Sequence, residues 1–211
     1  IIDRRTSEIA WRVGPNYDAT PELRRLGWII GQHHAHIIPR GLPGEGNLLV
    51  FDNGGQAGFG SPNPGSPTGH NNALRDHSRV VEFDPVTLKV AWQYSARDGG
   101  FAPLVDDSKF YSVLVSAAQR LPNGNTLILL FEEMPEDLAV RVVGGRREPG
   151  ETGKMLGDTV KEITPAGEVV DEWRSWQARD PETDVICALE GRHQWTHQNA
   201  LNLTASGDLL V

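Results

Sequence analysis

Five of the seven histidines fall in two short segments: His33, His34 and His36 within Gln32-His33-His34-Ala35-His36, and His193 and His197 within His193-Gln194-Trp195-Thr196-His197. Neutral imidazole is a competent nucleophile near pH 7 and exchanges protons in the same range, so such a cluster suits nucleophilic or acid–base chemistry. Two other uses compete with that one. Three histidines can bind zinc, although neither an HExxH motif nor a carboxylate at ligand spacing accompanies the H-x-H pattern. Histidines at a strand end can also serve only as hydrogen-bonded structural groups. Cys187 is the one cysteine, which excludes an intrachain disulfide and any cysteine-based zinc site.

Both segments immediately precede a tight turn of the Gly-Asn or Gly-Asp type, at Gly46-Asn47 and at Gly207-Asp208. Strand alternation then places His34 and His36 on one face and His33 on the other, while His197 and Asn199 share a face. A bulge near His33 would change which imidazole faces the site.

The elements that must position these residues are short strands. Gly-Asn and Gly-Asp turns flanked by apolar runs recur at Gly46-Asn47, Gly124-Asn125 and Gly207-Asp208 and predict hairpins. A second unit sets an acidic or turn residue before a Thr or Gly and an alternating run that ends in an aromatic. It occurs at Ile2–Trp11, Val81–Trp92 and Lys161–Trp173. The two units alternate, the pattern of an all-β β-propeller built from four-stranded antiparallel blades, with about three blades' worth of strands in this chain. Trp11, Trp92 and Trp173 are equally spaced by 81 residues, but the turns align Trp173 with Tyr94 and Asp171 with Trp92, so the spacing is partly accidental.

Residues 1–211 read as a single propeller domain or a fragment of one, with long loops at 54–78, rich in Gly and Pro, and at 142–157. The start at Ile1 and the end at Val211, inside an apolar run, read as cuts within a longer chain. A net charge of −8 argues against a general nucleic-acid or anionic-membrane surface, and no run approaches the roughly 20 apolar residues of a membrane helix.

Gln32-His33-His34-Ala35-His36, Gly41–Gly54, Ser116–Ile128, Ile2–Gly14 and Trp195-Thr196-His197-Gln198-Asn199 together resemble the arylsulfotransferase family. The resemblance implies a six-bladed propeller that moves a sulfuryl group from an aryl sulfate to a phenol through a sulfohistidine, with no cofactor and no nucleotide sulfate donor. It puts the nucleophile on His33, in a Q-H-x-A pattern, and a supporting H-x-N pair on His197 and Asn199, with His34 and His36 as further catalytic or supporting groups. Trp195 and Trp28 are the expected aryl-binding residues, and Phe101 and Tyr111 could line the same channel mouth. The family's H-H-D-I strand has no match before Leu121-Pro122-Asn123-Gly124-Asn125, the sequence ends before the point where the family's S-x-R arginine follows the H-x-N hairpin, and the order of segments is rotated. By resemblance the protein is exported, to the periplasm or beyond.

Two other functions fit the same residues. A non-catalytic propeller would present its loops, above all 54–78, to a protein or glycan. A metal- or quinone-dependent propeller oxidoreductase would also repeat Trp and Gly.

Overall fold

A computed structural model describes residues 1–54, 77–101, 110–112, 115–147, 153–204 and 206–211. Two recurring turns shape the chain within them. In the first, Leu121 N–H donates to Asn125 O (2.8 Å) and Gly124 N–H to Leu121 O (3.0 Å), with Gly124 at φ 91°. Thr204 to Asp208 repeats it, with bonds of 2.9 and 3.0 Å and Gly207 also at φ 91°. Only glycine adopts that backbone without steric cost. In the second turn Asp84 N–H donates to Lys89 O (3.0 Å) and Leu88 N–H to Asp84 O (2.8 Å), while the Asp84 carboxylate accepts from Val86 N–H (2.7 Å). Asp3 to Glu8 reproduces this bond for bond, at 2.9 and 2.8 Å, with Arg5 N–H on the Asp3 carboxylate (2.8 Å).

The chain is predominantly β. In order, the elements are α1 (Pro21–Leu26), β1 (His33–Ile37), β2 (Leu48–Asp52), β3 (Arg79–Phe83), β4 (Val90–Ser95), β5 (Ala117–Arg120), β6 (Thr126–Glu133) and α2 (Glu136–Ala139). There follow β7 (Gly144–Arg146), β8 (Leu156–Ile163), β9 (Val169–Arg174), α3 (Ser175–Ala178), β10 (Ile186–Gly191), β11 (Asn202–Leu203) and β12 (Leu209–Leu210). Two four-stranded antiparallel meanders result, β1-β2-β3-β4 and β5-β6-β8-β9, with β11-β12 as a separate hairpin. Glu82 pairs with Trp92 and Glu162 with Asp171, while Val80 pairs with Tyr94 and Val160 with Trp173. The register therefore aligns Trp92 with Asp171 and Tyr94 with Trp173, and the equal tryptophan spacing is not a structural repeat.

Each meander is buried on both faces, which is why its inner strands read as unbroken apolar runs. Leu49, Phe51 and Val80 of the first meet Ala118, Ile128, Leu130 and Ile163 of the second. The alternate residues Val50, Val81 and Phe83 pack outward on Tyr17, Leu26 and Ile29, and Leu127, Leu129 and Val160 pack on Leu201 and Leu203. Full burial of one such side chain contributes at most about 1.5–3 kcal/mol. At one end of the stack, buried Arg120 pairs with Glu82, lies 5.1 Å over the Trp92 ring and donates to Gly124 O (2.8 Å).

Two departures from a strand-only reading have local causes. Thr20 caps Leu23 N–H (3.2 Å), Pro21 starts the helix and Gly27 stops it, so α1 forms from a signal present in the sequence. The expected loop at 142–157 contains β7, which runs parallel to β10, and the first residues of β8. A Cβ on Gly144 would collide with the Ile186 backbone and one on Gly145 with the Arg192 side chain, and this close approach is what their lack of a side chain permits. Of the expected loop at 54–78, residues 55–76 lie outside the described residues.

Candidate functional site

His33 opens β1, and the end of β2 holds it in place. Asp52, fully buried, accepts from Ile30 N–H (2.7 Å) and from Arg79 Nε–H (2.8 Å), and Gly54 N–H donates to Ile30 O (3.0 Å), which clamps the approach to β1. Between them Asn53, also fully buried, meets the imidazole itself. Nδ1 of His33 lies 2.9 Å from Oδ1 of Asn53 and 3.1 Å from Gly31 O. The Asn53 amide nitrogen donates to Ser112 O (2.6 Å), and a carbonyl can only accept, so the amide orientation is fixed. Both groups facing Nδ1 are then acceptors. The ring proton must sit on Nδ1, and Nε2 carries the bare lone pair.

Asn53 is held in turn by Ser78, just before β3, and by Ser112 and Ser116, on the segment that leads into β5. Ser116 Oγ–H donates to its Oδ1 (3.0 Å), Ser78 Oγ–H donates to its backbone carbonyl (2.8 Å), and Ser112 N–H donates to Ser78 Oγ (2.9 Å). Ser112 Oγ bonds Val115 O and accepts from Phe131 N–H (3.2 Å). All four of these polar residues are completely buried.

His34 breaks the alternation expected of β1. Its φ of 50° is left-handed, and His33 and His36, three residues apart, pair with Phe51 and Leu49, two apart. The extra residue is a bulge, so His33 and His36 share a register face and His34 turns toward β5, where its Nδ1 lies 2.8 Å from Ala118 O. His36 directs Nδ1 at His34 O (2.9 Å), and the two rings lie 4.8 Å apart. Each therefore carries its proton on Nδ1 and has a bare Nε2. Burial holds the His34 pKa below the usual histidine range, with the Ala118 carbonyl opposing it and the repulsion that would arise if His36 were also protonated adding to it.

His197 and Asn199 are exposed and lie between β10 and β11. The side-chain amide of Gln194 faces Nδ1 of His197 at 2.6 Å, which fixes the orientation of the ring. The His197 ring meets Phe131 edge-on, with centroids 6.4 Å apart, and lines a cavity of about 430 Å³ with Gln194, Trp195 and Thr196. Among the described residues no hydrogen bond or ring contact joins His33 to His197 directly. The Asn53, Ser112 and Phe131 series links them.

The two tryptophans differ in placement. Trp195 is 8% exposed, donates Nε1–H to Asp184 O (2.6 Å) and packs with Met134 and Ile186, so it forms a fixed wall of the His197 cavity. Trp28 packs against Tyr17, with centroids 5.3 Å apart, in the cluster beside α1. Phe101 and Tyr111 line a different cavity with Phe131 and Trp176.

Asp158 was not singled out from the sequence. It is fully buried on β8, accepts from Gln198 N–H (3.2 Å) and has no partner at Oδ1. Burial pushes its pKa up to about 6, against hydrogen bonds from Thr196 and Gln198 and the charges of His197 and Arg179. Asn53, Ser78, Ser112 and Ser116 were likewise missed as site residues, although the Asp52-Asn53-Gly54 run after an apolar strand was visible.

Among the described residues no group of three or more His, Cys, Asp or Glu is placed to share a metal ion, and no helix is long and apolar enough to cross a membrane. Residues 1–131 match the family model for arylsulfotransferase (ASST). No curated protein and no solved structure matches the chain.

Proposed function

Because the chain belongs to the arylsulfotransferase family, we propose that it moves a sulfuryl group from an aryl sulfate to a phenolic acceptor through a sulfohistidine at His33. The observation that carries this reading is the pair of acceptors on Nδ1 of His33, Asn53 Oδ1 and Gly31 O, which commits the proton to Nδ1 and leaves Nε2 as nucleophile. In the same reading the two meanders and the flanking hairpins are blades of a β-propeller, and the protein works outside the cytoplasm.

In the first half-reaction the Nε2 lone pair attacks sulfur. The N–S bond forms as the S–O bond breaks, and its electron pair leaves on the phenolate. The ring becomes a cation balanced by the sulfuryl negative charge, and the two acceptors on Nδ1 stabilise that cation as it develops. His197 and the exposed amide of Asn199 supply donors for the sulfuryl oxygens. In the second half-reaction the acceptor's O–H bond breaks, its oxygen forms the new O–S bond, and the N–S pair returns to Nε2. The bare Nε2 atoms of His34 and His36 take the acceptor's proton, and the next leaving phenolate takes it back.

Mixing the protein with p-nitrophenyl sulfate should give a stoichiometric burst of nitrophenolate and a sulfuryl adduct that peptide mass spectrometry locates on His33. His33→Ala should give neither. A burst from that variant, or an adduct on a different residue, overturns the assignment.

A further inference from the structure

His197 lies outside the named strands, between β10 and β11, and is exposed. Such a side chain keeps one orientation only if its backbone is tied to a rigid element. The tie is Asp158 of β8. Its N–H donates to Thr196 Oγ1 (3.1 Å) and its Oδ2 accepts from Gln198 N–H (3.2 Å), so one residue grips the chain on both sides of His197. Trp195 N–H donates to Leu156 O (2.9 Å) and Leu156 N–H to His193 O (2.9 Å), which lays the same segment alongside the start of β8. The register partner of Asp158 on β6 is Phe131, the ring that His197 meets edge-on.

Stability does not account for a carboxylate at this position. Asp158 is completely buried, its Oδ1 has no partner, and the charged groups that face it are His197 and Arg179. Burial raises its pKa to about 6, so at pH 8 the ionised group works against the fold. Residues that cost a protein stability are retained where they serve its site. What Asp158 holds in return is the backbone on either side of an exposed imidazole. A carboxylate oxygen accepts from Gln198 N–H in a charge-assisted bond, which is shorter-ranged in its geometry and stronger than a neutral one.

Resting on the reading of His197 as a donor to the sulfuryl oxygens, we propose that Asp158 is a positioning residue of the transfer, acting through His197 by fixing the backbone of Thr196 and Gln198 to β8. It touches no substrate. Its effect on the reaction exists only while His197 is present to be positioned.

A double-mutant cycle tests this, read from the rate of the nitrophenolate burst at saturating p-nitrophenyl sulfate and pH 8. His197→Ala should slow the burst about 10²-fold, the cost of one lost transition-state donor. Asp158→Ala should slow it about tenfold, through partial loss of the same geometry. In the His197→Ala background the same change should alter the rate by less than about twofold. Asp158→Asn, whose amide oxygen can still accept from Gln198 N–H, should recover most of the loss. Equal losses in the two backgrounds, or an asparagine variant as slow as the alanine one, overturn the proposal. Thr196→Val removes the other tie and gives the same cycle if Asp158→Ala does not fold. NMR of the His197 ring protons, which feel the ring current of Phe131, reads position without turnover. Asp158→Ala should abolish that shift and Asp158→Asn should keep it. Loss of the shift in Asp158→Ala, with no burst from the wild-type protein, would sink the sulfuryl-transfer reading and leave the positioning role. A wild-type burst with the shift unchanged in Asp158→Ala would sink the positioning role alone.

Discussion

Asn53 performs two tasks with one amide. Its nitrogen is spent on Ser112 O, so its oxygen is available only as an acceptor, and it accepts from both His33 and Ser116. Asn53→Ala leaves the imidazole free to rotate and to change tautomer. A reacting group displaced by roughly 1 Å costs about 10²-fold, so the burst rate should fall by about that factor while the circular dichroism spectrum is unchanged. Stopped-flow release of nitrophenolate measures it, and a burst within threefold of wild type would refute the positioning role. Much of the site was visible in the residues. The two histidine segments and the turns that follow them were readable because turn chemistry and imidazole chemistry are local. The bulge at His34 was not, because a left-handed residue in a strand is selected by the pairing of β1 with β2 and by the carbonyl of Ala118, both distant in sequence. Nor can composition distinguish a tryptophan that binds a ligand from one that fills a core, and Trp28 and Trp195 each touch a core cluster.

At the scale of elements, the two meanders are joined at opposite ends by different chemistry. The site end uses neutral hydrogen bonds through Asn53 and the serines. The other end uses the buried Arg120–Glu82 pair, with Asn47 also donating to Glu82 (2.6 Å) and Trp92 Nε1–H to Pro165 O (3.1 Å). Taking one partner from a buried pair strands a charge, at a cost of about 3–5 kcal/mol, whereas replacing both can be close to neutral. Arg120→Met should therefore destabilise the protein by about that amount, and adding Glu82→Gln should recover most of it, as read by urea unfolding. Two single losses that simply add would show that the pair does not couple the meanders. The strands themselves were legible because turns punctuate them and both faces are buried. The parallel pairing of β7 with β10 was not, since three residues containing two glycines carry no periodicity.

For the whole molecule, Asp158 sets a pH dependence of stability. An unfolded aspartate titrates near 3.8, and burial raises this one to about 6. Between those values the folded protein keeps a proton that the unfolded chain releases, so the group's stabilising contribution is full below about 3.8 and is lost as pH rises through about 6. Asp158→Asn should then stabilise the fold at pH 8 by up to about 3 kcal/mol and change little at pH 4, measured by thermal unfolding at both values. Equal effects at the two pH values would refute the linkage. The stacking of the meanders has a mechanical consequence as well. His33 stands on the first sheet, yet its aim is set by an amide bonded to the segment that leads into the second. Packed sheets lie about 10 Å apart, so a tilt of about 6° between them would carry a group across roughly 1 Å, a displacement worth about 10²-fold in rate. The angle between the two packed sheets thus bears directly on the aim of the His33 ring.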